Sequence, residues 1–210
     1  MRNIKIIAHR GYWKTEVEKN TMVALERAID CDYGFETDLR DFKGKLVISH
    51  NPPKGNEITV ESVFEMYSQK QSNAPLALNI KADGLQEMIA ELLVKYNINN
   101  YFVFDMSVCD TLPYISQHLK IASRRSEYER DMPFYKNSTT VWVDFFIDDS
   151  LVIPEVERIL KDGKIACVVS PELHGRDYSN VWNQLKGIKK SNLYLCTDYP
   201  EKADKFFKEQ

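Results

Sequence analysis

Residues 76–104 contain Leu76-Ala77-Leu78-Asn79-Ile80, then a segment from Gly84 carrying Leu85, Met88, Ile89, Leu92 and Leu93, then Tyr101-Phe102-Val103-Phe104. The outer pieces are short continuous apolar runs, the pattern of parallel strands covered on both faces. The middle piece places its apolar residues at i, i+3, i+4, i+7 and i+8, one face of an amphipathic helix. Strand, helix and strand in that order make a βαβ unit.

The alternation continues in both directions. Strands are predicted over 4–8, 33–39, 76–80, 101–104, 120–122, 141–145, 165–169 and 193–196. Asn20 reads as the N-cap of a helix over 21–29, with Met22, Leu25, Ala28 and Ile29 on one stripe. Pro154 and Pro200 suit first helical turns, followed by Val156, Ile159 and Leu160 and by Ala203, Phe206 and Phe207. Eight strands in βα order predict a compact (β/α)8 TIM barrel spanning residues 1–210 as a single domain. That length is near the lower limit for the fold, so some helices must be short or missing. After the second strand, Lys43-Gly44-Lys45 reads as a turn and 46–49 as an extra strand in an irregular hairpin. The competing architecture is a doubly wound open sheet, but no glycine-rich phosphate loop follows any strand.

With 28 Lys+Arg against 31 Asp+Glu, the net charge is −3. There is no basic excess of the kind that binds nucleic acid or membrane surfaces. The apolar run before His9 is too short for a signal peptide, and no stretch approaches the roughly 18 apolar residues of a membrane span. A cytoplasmic protein acting on a small soluble substrate is expected. Cys31, Cys109, Cys167 and Cys196 match no metal or disulfide framework and read as buried, reduced thiols.

In a barrel, reactive groups sit at the C-terminal ends of strands. His9 and Arg10 end the first strand, and His50 ends the apolar run of the hairpin. Glu36 and Asp38 lie two apart in the second strand, so both project from one face. Held together in an apolar strand, two carboxylates repel unless a cation sits between them, and oxygen ligands favour Mg²⁺ or Ca²⁺. Separate salt bridges are the competing explanation. Two imidazoles can supply a base and an acid near neutral pH, and Arg10 offers a fork for phosphate oxygens. Later, Glu172 and His174 follow the seventh strand, Arg124 follows the fifth, and Trp142 lies in the sixth. Glu172 is a candidate for substrate hydroxyls. Trp142 is a candidate for stacking on a polyol, with core packing as its alternative. The competing explanation for Glu172 and His174 is a capping role for the one and a surface position for the other, and Asp198 reads as a helix cap.

His9-Arg10-Gly11, Asn20-Thr21, Gly34-x-Glu36-x-Asp38, Lys43-Gly44 and Val47-x-x-His50 resemble, in order and spacing, the glycerophosphodiester phosphodiesterase family. That family shares its barrel and chemistry with the phosphatidylinositol-specific phospholipases C. The close match runs from residue 4 to about residue 53. The resemblance implies hydrolysis of a phosphodiester, with His9 and His50 as the acid/base pair, Arg10 on the phosphate, and Glu36 and Asp38 on one divalent cation. It also implies that a substrate hydroxyl attacks phosphorus and that water then opens a cyclic phosphate. Where the family has Glu-x-Lys after the third strand, this chain has Asn79-Ile80-Lys81. Asn79 is then the third metal ligand through a neutral oxygen, Glu172 a partial substitute for the lost carboxylate, and Lys81 a substrate contact. Lys19 and Asn51 stand where the family usually has Glu and Asp. Two alternatives keep the same barrel: a lyase that releases the cyclic phosphate, and a non-catalytic domain that binds phosphorylated polyols.

Overall fold

A computed structural model describes residues 4–208 of the chain. Nine strands form one sheet: β1 (Lys5–Ala8), β2 (Gly34–Phe42), β3 (Lys45–Ile48), β4 (Leu76–Ile80), β5 (Tyr101–Phe104), β6 (Ala122–Arg125), β7 (Thr140–Val143), β8 (Ile165–Val169) and β9 (Leu193–Thr197). Their order is β5-β4-β2-β1-β9-β8-β7-β6, all parallel, with β3 antiparallel to β2 outside this path. A single bridge between Val103 and Ile121 joins β5 to the start of β6, with Val103 N donating to Lys120 O at 2.9 Å. Eight parallel strands thus form a nearly closed α/β barrel of the TIM type.

Helices α1 (Met22–Asp30), α2 (Val60–Gln69), α3 (Gln86–Lys95), α4 (Val108–Ser116), α5 (Val152–Lys161), α6 (Ser179–Lys186) and α7 (Pro200–Lys208) cover the outside. Among the described residues no helix lies between β6 and β7, the economy that the short chain demanded. None of these helices is long and apolar enough to cross a membrane. The outer layer buries Leu25 and Ile29 of α1, Phe64 of α2 and Ile89 of α3 against the sheet. Each fully buried side chain of this size contributes about 1.5–3 kcal/mol.

Thr21, not Asn20, caps α1, accepting from Ala24 N through its hydroxyl. Asn20 takes a left-handed φ of 60° and turns its amide toward the barrel. The predicted strand at 120–122 begins two residues later, because the chain meets β5 only at Ile121 before pairing with β7. The four thiols are free, but Cys31 and Cys109 are exposed. They lie on or just past outer helices, where an apolar neighbour in sequence does not guarantee burial.

Two glycines set the shape near the site. A Cβ on Gly34 would stand 2.2 Å from the Pro75 carbonyl oxygen, so only glycine lets β2 enter beside β4. Gly11 has φ +85°, and a Cβ there would stand 2.8 Å from the backbone of Ala24. The turn after His9 therefore rests directly on α1.

The barrel interior holds Ile7, Ala77, Phe102, Phe104, Trp142, Cys167, Tyr194 and Cys196. Glu36 pairs in register with Ala77, and Asp38 with Asn79. Partners in a parallel ladder share a face, so both carboxylates and the Asn79 amide stand on the inner wall, at the C-terminal mouth.

Candidate active site

His9 leaves β1 with its N–H donated to Thr197 O at 3.1 Å, which ties it to β9. Its Nδ1 lies 2.7 Å from Asp198 Oδ1, and its Nε2 lies 3.9 Å from Glu36 Oε2. A carboxylate on one ring nitrogen fixes orientation and leaves the other for proton transfer. Arg10 follows with φ 55°, and its N–H donates to Glu36 Oε2 at 3.1 Å.

Glu36 is 2% exposed. Burial, and then the neighbouring Asp38, push its carboxyl up to about 7, against the pull of His9, Arg10 and Lys81. Near neutral pH it sits between its two protonation states. Asp38 accepts from Asn20 Nδ2 at 2.8 Å, and Asn20 Oδ1 in turn accepts from the Thr37 hydroxyl. Arg10 Nε lies 3.3 Å from Asp38 Oδ2, and Lys81 Nζ lies 3.5 Å from Oδ1.

Two buried oxygens in this cluster, Asp38 Oδ1 and Asn79 Oδ1, have no hydrogen-bond partner. Leaving such atoms unsatisfied costs about 1–3 kcal/mol each, and a bound ion is one of the standard explanations. The donor set suits a hard divalent cation: two carboxylates and an amide, all oxygen, on adjacent strands. Among the described residues no three His, Cys, Asp or Glu side chains gather as a metal site, and the third oxygen beside Glu36 and Asp38 belongs to the Asn79 amide.

His50 is exposed beyond β3. The hairpin brings it to the barrel rim, since Ser49 N donates to Asp38 O at 2.9 Å. Its ring meets Asn51 Oδ1 at 3.1 Å, and its carbonyl accepts from Arg40. No hydrogen bond or ion pair joins it to His9, Glu36 or Asp38. Lys81 faces the mouth and lies between Asp38 and Asp105, 3.7 Å from the latter. The Glu172 carboxylate is already engaged: the hydroxyls of Ser170 and Thr197 donate to it, and Asp198 N does so at 3.2 Å. Burial still raises its pKa, against these hydrogen bonds. It braces the turn that presents Asp198 to His9. Trp142 lies in the interior at 4% exposure, its ring 4.2 Å from Phe104, so it packs below the mouth.

Four further residues stand at the same end of the barrel. Asp198, read as a cap, holds His9. His174, read as a surface residue, lies 2.7 Å from the buried Asp144 through Nε2. Arg124 joins Asp144 at 3.3 Å and pairs with Asp105. Asp105 follows β5 directly and Arg10 stands two residues past β1, and both take a left-handed φ. Position at a strand end was the available signal for each.

No protein-family model and no curated sequence matches the chain. Solved structures do match. A glycerophosphodiester phosphodiesterase from Agrobacterium tumefaciens superposes with a TM-score of 0.68 at 16% identity, covering 94% of this chain and 97% of that one. The chain shares that enzyme's fold. An Oleispira antarctica phosphodiesterase, solved with its product sn-glycerol-3-phosphate, gives 0.70 at 16% identity and covers 98% and 97%. A dihydropteroate synthase from Xanthomonas albilineans gives 0.56 at 10% identity over 97% and 90%. The barrel alone therefore does not select the chemistry, which must be argued from the side chains.

Proposed function

We propose that this chain is a metal-dependent phosphodiester hydrolase of the glycerophosphodiester phosphodiesterase type, acting on a small soluble diester in the cytoplasm. One observation carries the reading. His9, held by Asp198, faces a buried Glu36–Asp38 pair flanked by Arg10 and Lys81, beside an Asn79 amide oxygen that has no hydrogen-bond partner. A domain that only binds phosphorylated polyols has no use for an oriented imidazole beside such a pair.

Glu36, Asp38 and Asn79 would hold one Mg²⁺ or Ca²⁺, which when bound neutralises charge on the phosphoryl oxygens. Arg10 and Lys81 add positive charge on either side of Asp38 and orient the phosphate. His9 takes the proton of a substrate hydroxyl as its oxygen bonds to phosphorus. The bond to the leaving alcohol breaks, and that oxygen takes a proton from His50 at the rim. Water then opens the cyclic phosphate with the two imidazoles in exchanged roles. An enzyme that stops at the cyclic phosphate is a lyase, and phosphorus NMR of the products separates the two outcomes.

The test is an assay of purified protein on a panel of glycerophosphodiesters with Mg²⁺, Ca²⁺ or EDTA, beside His9→Ala and Glu36→Gln. Cation-dependent turnover lost in both variants supports the site. Turnover that persists in EDTA and in both variants places the chemistry elsewhere.

A further inference from the structure

Among the described residues two imidazoles are each clamped by a carboxylate at the mouth of the barrel. His9 Nδ1 meets Asp198 Oδ1 at 2.7 Å, and His174 Nε2 meets Asp144 Oδ1 at 2.7 Å. The first pair joins the ends of β1 and β9 and the second the ends of β8 and β7, four consecutive strands of the sheet. Both rings are partly buried, with 18% and 22% of the side chain exposed, whereas His50 lies exposed against Asn51.

The second pair stands over the barrel interior. Trp142 and Cys167 line that interior in register with each other, and Arg124 is in register with Trp142. The ladder continues past β7, where Asp144 N donates to Arg125 O at 2.9 Å. Asp144 therefore keeps the inward face of Trp142, two residues on, and it is buried. Leu173, next to His174, packs on the same interior cluster. Burial first, then Asp144 and Glu36, push the Cys167 thiol up, so both carboxylates act on one interior side chain. An eight-stranded barrel is only wide enough inside for side chains to fill, so His174 and the Glu36–Asp38 pair share one narrow mouth.

Glu172 fixes the two pairs against each other. It lies two residues before His174, and it accepts from the Thr197 hydroxyl and from the N–H of Asp198, the residue that holds His9. Ser170 also donates to Glu172, and its own oxygen accepts from Trp182 Nε1 at 2.8 Å. The turn that carries His174 is thus set before any ligand arrives, as proton transfer at a defined atom requires.

We propose that His174 is a further catalytic residue, the proton donor to the leaving alcohol, a step otherwise given to His50 by its place in the motif. The proposal rests on the phosphodiesterase reading and changes that one step of it. Asp144 holds Nε2, so Nδ1 is left to exchange a proton. The substrate hydroxyl gives its proton to His9 as its oxygen bonds to phosphorus, and the bond from phosphorus to the leaving oxygen breaks. That oxygen keeps the electron pair and takes the proton of His174 Nδ1. Water then gives a proton to His174 as its oxygen bonds to phosphorus, and His9 returns its proton to the ring oxygen that is released. Both imidazoles end as they began.

The test compares two diesters of glycerol phosphate, one with ethanolamine and one with para-nitrophenol as the leaving group. Para-nitrophenolate departs without a proton, so a missing acid costs little there, whereas an alkoxide needs one. We expect His174→Gln, which keeps a donor for Asp144, to lower kcat for the ethanolamine diester by about 10²–10⁴ and for the nitrophenyl diester by less than about threefold. His9→Ala should lose both activities. Equal losses on the two diesters in His174→Gln, or no loss on either, overturn the assignment and leave the phosphodiesterase reading standing. Rescue by the nitrophenyl group in His50→Ala and not in His174→Gln returns the step to His50. A wild type that cleaves neither diester with Mg²⁺ or Ca²⁺ removes the hydrolase reading, and the role of His174 with it.

Discussion

Glu36→Gln tests the electrostatic core of the site without relying on catalysis. In the folded protein the Glu36 carboxyl is raised from its ordinary 4.5 to about 7, through burial first and Asp38 second. The folded state therefore keeps a proton that the unfolded chain releases. Stability must fall as pH rises from about 4.5 through about 7, and the full penalty is present above that window. Linkage over this interval gives about 3 kcal/mol. Gln has the shape of the protonated acid, can still accept the Arg10 N–H, and carries no charge to desolvate. Thermal unfolding in EDTA at pH 4.5 and pH 8.5 is the assay. In a protein of this size each kcal/mol moves Tm by about 2–4 °C. The Tm advantage of the variant should grow by roughly 6–12 °C between the two pH values. Mg²⁺ or Ca²⁺ added at pH 8.5 should narrow that gap by stabilising only the wild type. An equal Tm difference at both pH values refutes the raised carboxyl and the argument built on it.

Three other substitutions give distinct outcomes. Gly34→Ala forces a methyl to 2.2 Å from the Pro75 carbonyl oxygen and should cost several kcal/mol, read as a lowered urea midpoint. Asp198→Asn removes the carboxylate that holds His9 and should lower kcat about ten- to a thousand-fold with little change in KM, while Tm moves by only a few degrees. His50→Ala should lower kcat by about 10²–10⁴ if His50 is the acid, with Tm unchanged because the residue is exposed and its ring meets only Asn51. Full activity in His50→Ala would remove it from the mechanism.

Much of the barrel was legible because its signals are local. The strands at 76–80, 101–104 and 165–169 fall where the continuous apolar runs place them, since a strand buried on both faces leaves no other pattern. The helix α4 was not legible: Pro113 lies inside it, and proline argues against a helix unless its first-turn carbonyls are met otherwise. The carboxylate pair could be found because acidic residues in an apolar strand are costly and need a reason. The partners of the histidines could not. Asp198 stands 189 positions from His9, and Asp144 stands 30 from His174, so no window along the chain joins them. Asn20 shows the limit of local rules, because a good capping residue was used instead to hold Asp38.

The chain's departure at Asn79 has a consequence for how a cation would be held. Asp38 is already flanked by Arg10 and Lys81, and Glu36 is close to half protonated at neutral pH. Two cationic groups thus face little more than one negative charge. A divalent cation bound there would favour the ionised form of Glu36, so its binding would be linked to loss of that proton. With a third carboxylate at position 79 the cation would meet enough charge without that step. If a cation is held by Glu36, Asp38 and Asn79, its affinity should rise with pH through the raised titration of Glu36, because only the ionised carboxylate contributes its charge. Calorimetric titration of Mg²⁺ or Ca²⁺ at pH 6 and pH 8.5 checks this, and equal affinities at both pH values refute the link between the neutral amide at position 79 and the proton on Glu36.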